Sequence, residues 1–167
     1  ANGCSLVRRL VFDVAGRVLG EPAWDGSGTS LADELLAPSV LYAPAVLAAL
    51  AVHEVHAVAH ITGGGLPENI PRVLPAGTVA AIDTHSWELP PVFQWLQDAG
   101  GVAAEEMYRT FNCGIGMIVC VPADQKDLAV DTLNAMGEKV WQVGVMEAAD
   151  ASDAEPKVRY APELLKA

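Results

Sequence analysis

Two periods run along this chain. Leu6, Val7, Leu10, Val11 and Val14 recur at helical spacing, with Arg8, Arg9 and Asp13 off that face. They predict a helix capped by Asn2 or Ser5 and stopped at Gly16. A Gly/Pro-rich loop follows, and its Trp24 is expected to pack back onto the protein. Further helices are predicted over 29–36, capped by Thr29 or Ser30, and over 43–51, with Pro44 in the first turn. Others cover 67–74, 90–99 with Val92, Phe93 and Leu96 as its apolar side, and 104–111. The last covers 124–136, with Leu128, Ala129, Leu133 and Met136 inward and Gly137 at its end. Between them lie predicted strands at 40–42, 55–61, 78–83, 115–121 and 140–146, and an edge strand at 157–161. The near-continuous apolar run 115–121 reads as a strand buried on both faces. Strands alternating with helices indicate an α/β domain, a layered mixed β-sheet with helices packed on it.

The pattern breaks most sharply at His60-Ile61-Thr62-Gly63-Gly64-Gly65-Leu66-Pro67-Glu68-Asn69-Ile70-Pro71-Arg72-Val73-Leu74-Pro75. An apolar strand feeds three consecutive glycines and then a short helical segment. Without Cβ atoms the backbone can turn its N–H groups toward a ligand, and a helix start adds orphan donors and a favourable dipole. Arg72 adds a fixed positive charge. The loop lacks the Lys of a phosphate loop and the glycine spacing of a dinucleotide fingerprint, so a tight turn remains the competing reading. His60, at the strand end, could donate to a phosphate or move a proton, or it could be a hydrogen-bonded core residue. A second stretch, Met107-Tyr108-Arg109-Thr110-Phe111-Asn112-Cys113-Gly114-Ile115-Gly116-Met117, takes a helix end into a strand. Asn112 could be a cap, and Cys113 a nucleophile or a small buried thiol.

Composition narrows the classes. Of 167 residues just over half are apolar, enough for one domain with a substantial core. Ten basic against 21 acidic residues give a net charge of −11, which opposes non-specific nucleic-acid binding. An anionic ligand would need a locally positive site, which directs attention to Arg72 and Arg109. Cys4, Cys113 and Cys120 form no Cys-x-x-Cys pair and read as reduced thiols. His53, His56, His60 and His85 do not have zinc-site spacing; 55–61 alternates as a strand, so no metal site is expected. No signal peptide or membrane-spanning run is visible, which points to a soluble cytoplasmic protein. The opening Asn2-Gly3-Cys4-Ser5, without a Met, reads as a cut inside a longer polypeptide or a processed product.

The two long stretches together resemble the C-terminal half of the aminoimidazole ribonucleotide synthetase family, the phosphoribosylformylglycinamidine cyclo-ligases of purine biosynthesis. Asn2-Gly3-x-Ser5-Leu6-Val7-Arg8 is similar to the segment that opens that half, with Ala1 and Cys4 standing where the family has Ser and Tyr. Trp87, Pro91, Val92, Phe93, Trp95, Leu96 and Gln97 also fall where the family has similar residues. The resemblance implies a fold of that family's C-terminal domain over 1–167, preceded by an N-terminal domain. That domain would supply the nucleotide loop, the Mg²⁺ ligands and most of a homodimer interface, and without it the chain could stand as a monomer. It implies ATP and Mg²⁺ as cofactors and formylglycinamidine ribonucleotide as substrate. Phosphorylation of the formyl oxygen would be followed by ring closure by the substrate's own amine. His60 would assist proton transfer or stabilise developing phosphate. Thr62, Gly63, Gly64 and Gly65 would hold phosphate oxygens, and Asn69 and Arg72 would support the loop or reach the ligand. Arg109 and Asn112 would face the same cleft. A phosphate-binding domain inactive alone, or half of a selenophosphate synthetase or thiamine-phosphate kinase type of enzyme, are the alternatives.

Overall fold

The computed structural model describes residues 3–24, 28–150 and 155–160. Helix α1, Cys4–Arg8, starts from Gly3, φ 73°, with no side-chain cap, and Ser5, expected as a cap, lies inside the helix. Asn2 lies outside the described residues. The helix then widens into π-helical winding over Arg9–Val14, closed by Ala15 N–H to the Leu10 carbonyl. That wider turn changes the phase of the side chains. Leu10 and Val11 are buried, but Val14, expected inward, is exposed. Trp24 does pack back: it is buried against Trp95, ring centroids 5.1 Å apart, with the Arg17 guanidinium lying over both rings.

Helix α2, Leu31–Leu35, starts at Ser30 in a capping box with Asp33. No strand forms at 40–42; these residues lead directly into α3, Ala43–Val52, with Pro44 in its first turn. Strand β1, Ala57–His60, is followed by α4, Gly65–Asn69, and a 3₁₀ turn, Ile70–Val73. Strand β2 is Thr78–Ile82, and α5, Pro91–Gly100, stops at Gly101 with φ 57°. Helix α6, Ala104–Thr110, leads to β3, Met117–Cys120. Helix α7, Lys126–Ala135, precedes β4, Gly144–Ala148, and β5, Lys157–Tyr160.

The strands form two sheets. β1 and β3 pair antiparallel, with His60 opposite Met117. In the other sheet β2 is central, antiparallel to β4 and parallel to β5, so β5 is an edge strand. Ala59, Ile61, Leu66, Ile70, Ala80, Ile82, Trp87 and Ile115 form one core cluster drawn from both sheets and α4. Leu96, Met107 and Phe111 pack with Leu10 in a second, on α5 and α6. Two apolar patterns depart from their expected burial. All four residues of β3 are only half-buried, because Met117, Ile118, Val119 and Cys120 line an open cleft beside α7. On α7, Ala129 is buried, but Leu128 and Met136 are exposed. The helix docks on α3 through a narrow seam of small residues, which leaves its larger apolar side chains outside.

Candidate functional site

The glycine loop is a tight turn built to carry a helix. The Gly65 N–H donates to the Thr62 carbonyl at 3.0 Å, and Gly64 takes φ 89°, ψ −4°, the geometry a type II turn asks of its third residue. Asn69, the one buried polar residue among those described, locks the turn from beneath. Its Nδ2 donates to the carbonyls of Gly65 (2.8 Å), Gly63 (3.0 Å) and Thr62 (3.5 Å). Its Oδ1 accepts from Thr62 Oγ1 and from Arg72 Nη1, each at 3.3 Å. Asn69 and Arg72 thus support the loop, Asn69 with every polar atom engaged.

With the carbonyls drawn inward, the amides are divided. Gly65 spends its N–H on the turn and is buried against α6. A Cβ there would run into the carbonyl oxygens of Tyr108 and Phe111. Gly63 and Gly64 are half-buried, and among the described residues neither N–H has a hydrogen-bond partner. Thr62 and His60 are exposed beside them. The His60 ring meets Tyr42 edge-on, centroids 6.2 Å apart, and is not a core histidine.

The second stretch folds onto this loop. Asn112 Oδ1 accepts from the Gly114 N–H at 3.1 Å, so Asn112 serves its own turn. That turn forces Cys113 to φ 50° and Gly114 to φ 98°, while Trp87 Nε1 donates to the Cys113 carbonyl at 2.9 Å. The Cys113 thiol is fully buried, and that burial pushes its pKa up to about 12. A thiol held protonated in this way is a poor nucleophile. Chain direction then carries Ile61 N–H to the Gly116 carbonyl at 2.9 Å. Arg109 stands at the end of α6 with Nε 3.8 Å from Glu68 Oε1, both side chains largely exposed.

Glu68 and Tyr42 were not singled out by sequence reasoning. Glu68 lies one helical turn beyond Gly64 and its carboxylate rests over the face of Gly64 that a Cβ would occupy. It therefore links the loop to Arg109. That spacing was a usable signal. Tyr42 carried none: its contact with His60, and the seating of its hydroxyl over Gly116, are purely tertiary.

The arrangement offers two free amides, a hydroxyl, an imidazole and a guanidinium around one exposed loop, a set suited to an oxyanion. Among the described residues no group of three or more His, Cys, Asp or Glu side chains could share an ion. His53 Nε2 lies 2.8 Å from Thr132 Oγ1, and His56 Nε2 lies 3.1 Å from Glu54 Oε1. Imidazoles paired in this way do not fit Mg²⁺, which takes oxygen ligands in octahedral geometry. A mainly apolar cleft of about 870 Å³ lies between β3, α7 and the β2–β4 sheet, and Tyr42, Gly114 and Gly116 are among the residues lining it. None of His60, Thr62, Gly63, Gly64, Gly65, Asn69, Arg72, Arg109 or Asn112 lines it. No helix among the described residues is long and apolar enough to cross a membrane. Residues 1–156 match the family described as AIR synthase related protein, C-terminal domain, and the chain belongs to that family.

Proposed function

We propose that this chain is the C-terminal half of an ATP-dependent cyclo-ligase that converts formylglycinamidine ribonucleotide to aminoimidazole ribonucleotide. The family's members are ATP-using enzymes. The observation that carries the reading is the meeting of the two long stretches. Gly65 packs on the carbonyls of Tyr108 and Phe111, and the Glu68 carboxylate beside Gly64 reaches Arg109, so the loop with the unpaired Gly63 and Gly64 amides is tied to the second stretch.

In this reading the Gly63 and Gly64 N–H groups donate to phosphate oxygens of substrate or nucleotide. Thr62 adds a hydroxyl. Arg109 exchanges the Glu68 carboxylate for the incoming anion, and the charge-assisted bond favours a phosphate over water. His60 moves a proton as the amine closes the ring or hydrogen-bonds the leaving phosphate. ATP transfers its phosphoryl group to the formyl oxygen. Mg²⁺ and most nucleotide contacts fall to a preceding domain, which also carries the homodimer interface, and the whole works in the cytoplasm. The alternative within the family is a selenophosphate synthetase or thiamine-phosphate kinase type of enzyme.

Titrating ¹⁵N-labelled chain with formylglycinamidine ribonucleotide and, separately, thiamine phosphate tests the assignment. The Gly63 and Gly64 amides should move most, and more with the former ligand. Shifts confined to β3 and α7, around the apolar cleft, overturn the loop assignment; a preference for thiamine phosphate overturns the substrate. With ATP present, the chain alone should not consume formylglycinamidine ribonucleotide. Robust turnover would refute the half-site reading.

A further inference from the structure

Two unpaired strand edges bound the cleft of about 870 Å³. Ile61 N–H donates to the Gly116 carbonyl directly opposite, so the antiparallel alternation turns the backbone groups of Ile118 and Cys120 toward β1. Met117 and Val119 turn theirs the other way, where β3 has no strand neighbour. Likewise Asp83 N–H donates to the Val143 carbonyl opposite it, which sets 143 and 145 toward β2 and leaves the backbone groups of Gly144 and Met146 on the free edge of β4. Residues 114–121 and 137–146 all line the cleft, and no residue of β1 does. Between α7 and β4, the backbone groups of Lys139, Val140, Trp141 and Gln142 have no hydrogen-bond partner among the described residues.

We infer that residues 139–143 are a strap that closes on β3, pairing parallel with it and joining the two sheets into one; the structure holds the open arrangement. Connectivity sets the direction. β3, α7 and β4 follow in order, and a strand–helix–strand connection serves parallel strands with the helix on their face. Helix α7 is already in place, lining the cleft with Ala129, Val130 and Leu133. β3 has the composition of an interior parallel strand: a continuous apolar run with no Lys or Pro to blunt an edge. The strap is half-prepared. Val140, Trp141 and Val143 are half-buried, and Val143 already continues the β2–β4 ladder by one residue. Closure satisfies unpaired backbone groups on both sides of the cleft, at the ladder spacing of about 4.8 Å. The strap is tethered at both ends, to α7 and to β4, so it avoids the association cost that a strand from another molecule would meet. This motion does not depend on the proposed ring-closing activity.

Amide exchange followed by NMR on the ¹⁵N-labelled 167-residue chain tests it, with neighbouring residues as controls. Ile118 and Cys120 are protected by β1 in either arrangement. Closure should also slow Met117 and Val119 by roughly tenfold or more relative to unstructured chain. It should give nuclear Overhauser contacts between 117–119 and 140–142. Gln142→Pro, checked for native circular dichroism, deletes an N–H that the open arrangement does not use. It should return Met117 and Val119 to near-unprotected rates while Ile118, Cys120 and the β2 amides keep theirs; Gln142→Ala should change none of them. Wild-type Met117 and Val119 exchanging as fast as unstructured chain overturns the inference, as does slow exchange without contacts to 140–142. So does protection that survives Gln142→Pro, which would place another cover on the β3 edge. Protection that grows with protein concentration also overturns it, since it would come from a strand of a second copy.

Discussion

Gly64 and Gly65 are neighbours with positive φ, 89° and 57°, yet different surroundings make them unequal. A Cβ on Gly65 collides with backbone oxygens of α6, which cannot move without moving a helix end. A Cβ on Gly64 meets only the Glu68 side chain, in the first turn of its own helix. Gly64→Ala should therefore cost about 2 kcal/mol, mostly left-handed strain plus displacement of Glu68. Gly65→Ala should cost more, on the order of 3 kcal/mol or above. Urea unfolding of the two variants checks the order; a Gly64 variant less stable than the Gly65 variant contradicts it. Glycine identity was plain in the sequence, but which of the three had lost its freedom to packing was not.

Asn69 sets the character of the loop as an element. Five hydrogen bonds converge on one buried amide side chain, joining the turn at Thr62–Gly65 to α4 and Arg72. Removing it takes this donor from the Gly63 and Gly65 carbonyls, while the Thr62 carbonyl keeps the Gly65 N–H. Asn69→Ala should cost about 3 kcal/mol, and hydrogen exchange in the loop should accelerate ahead of that in β2. Uniform acceleration in both would show that Asn69 stabilises the whole domain rather than the loop. At this scale periodicity served well for α2, α5 and α6, while the helix expected over 67–74 starts earlier, at Gly65, and turns to 3₁₀ winding from Ile70. It misled at 9–14, where π winding rotates Val14 outward. It misled again at β3, where an apolar run promised two covered faces and the strand lines an open cleft instead.

The molecule as a whole should lose stability in base. Burial raises the Cys113 pKa from 9.0 to about 12, and burial with neighbouring acidic groups raises that of Tyr160 in the same direction. A raised folded pKa means that the unfolded chain gives up its proton first. The contribution from Cys113 is complete below the unfolded value of 9.0 and is lost as pH climbs toward about 12. The urea midpoint of the wild-type chain should fall steadily above pH 9.0, and Cys113→Ala should fall less steeply over that range. Parallel slopes would mean that Cys113 is reached by solvent before the fold opens. Both groups sit where β5, α6 and the 112–114 turn converge, so local ionisation there loosens the contact between the two sheets.

The sequence alone determined the α/β layering, most of the helices, and the two segments that carry the candidate chemistry. Each of these depends on local period, turn residues or motif identity, all carried by consecutive positions. Tertiary structure decided the rest. It brought Gly65 under Tyr108, Glu68 to Arg109 and Tyr42 to His60. It also decided that Asn69 faces inward to the loop carbonyls, while the Gly63 and Gly64 amides stay free. Such pairings arise from packing between elements distant in the chain, and no short-range pattern encodes which side of an element another will cover.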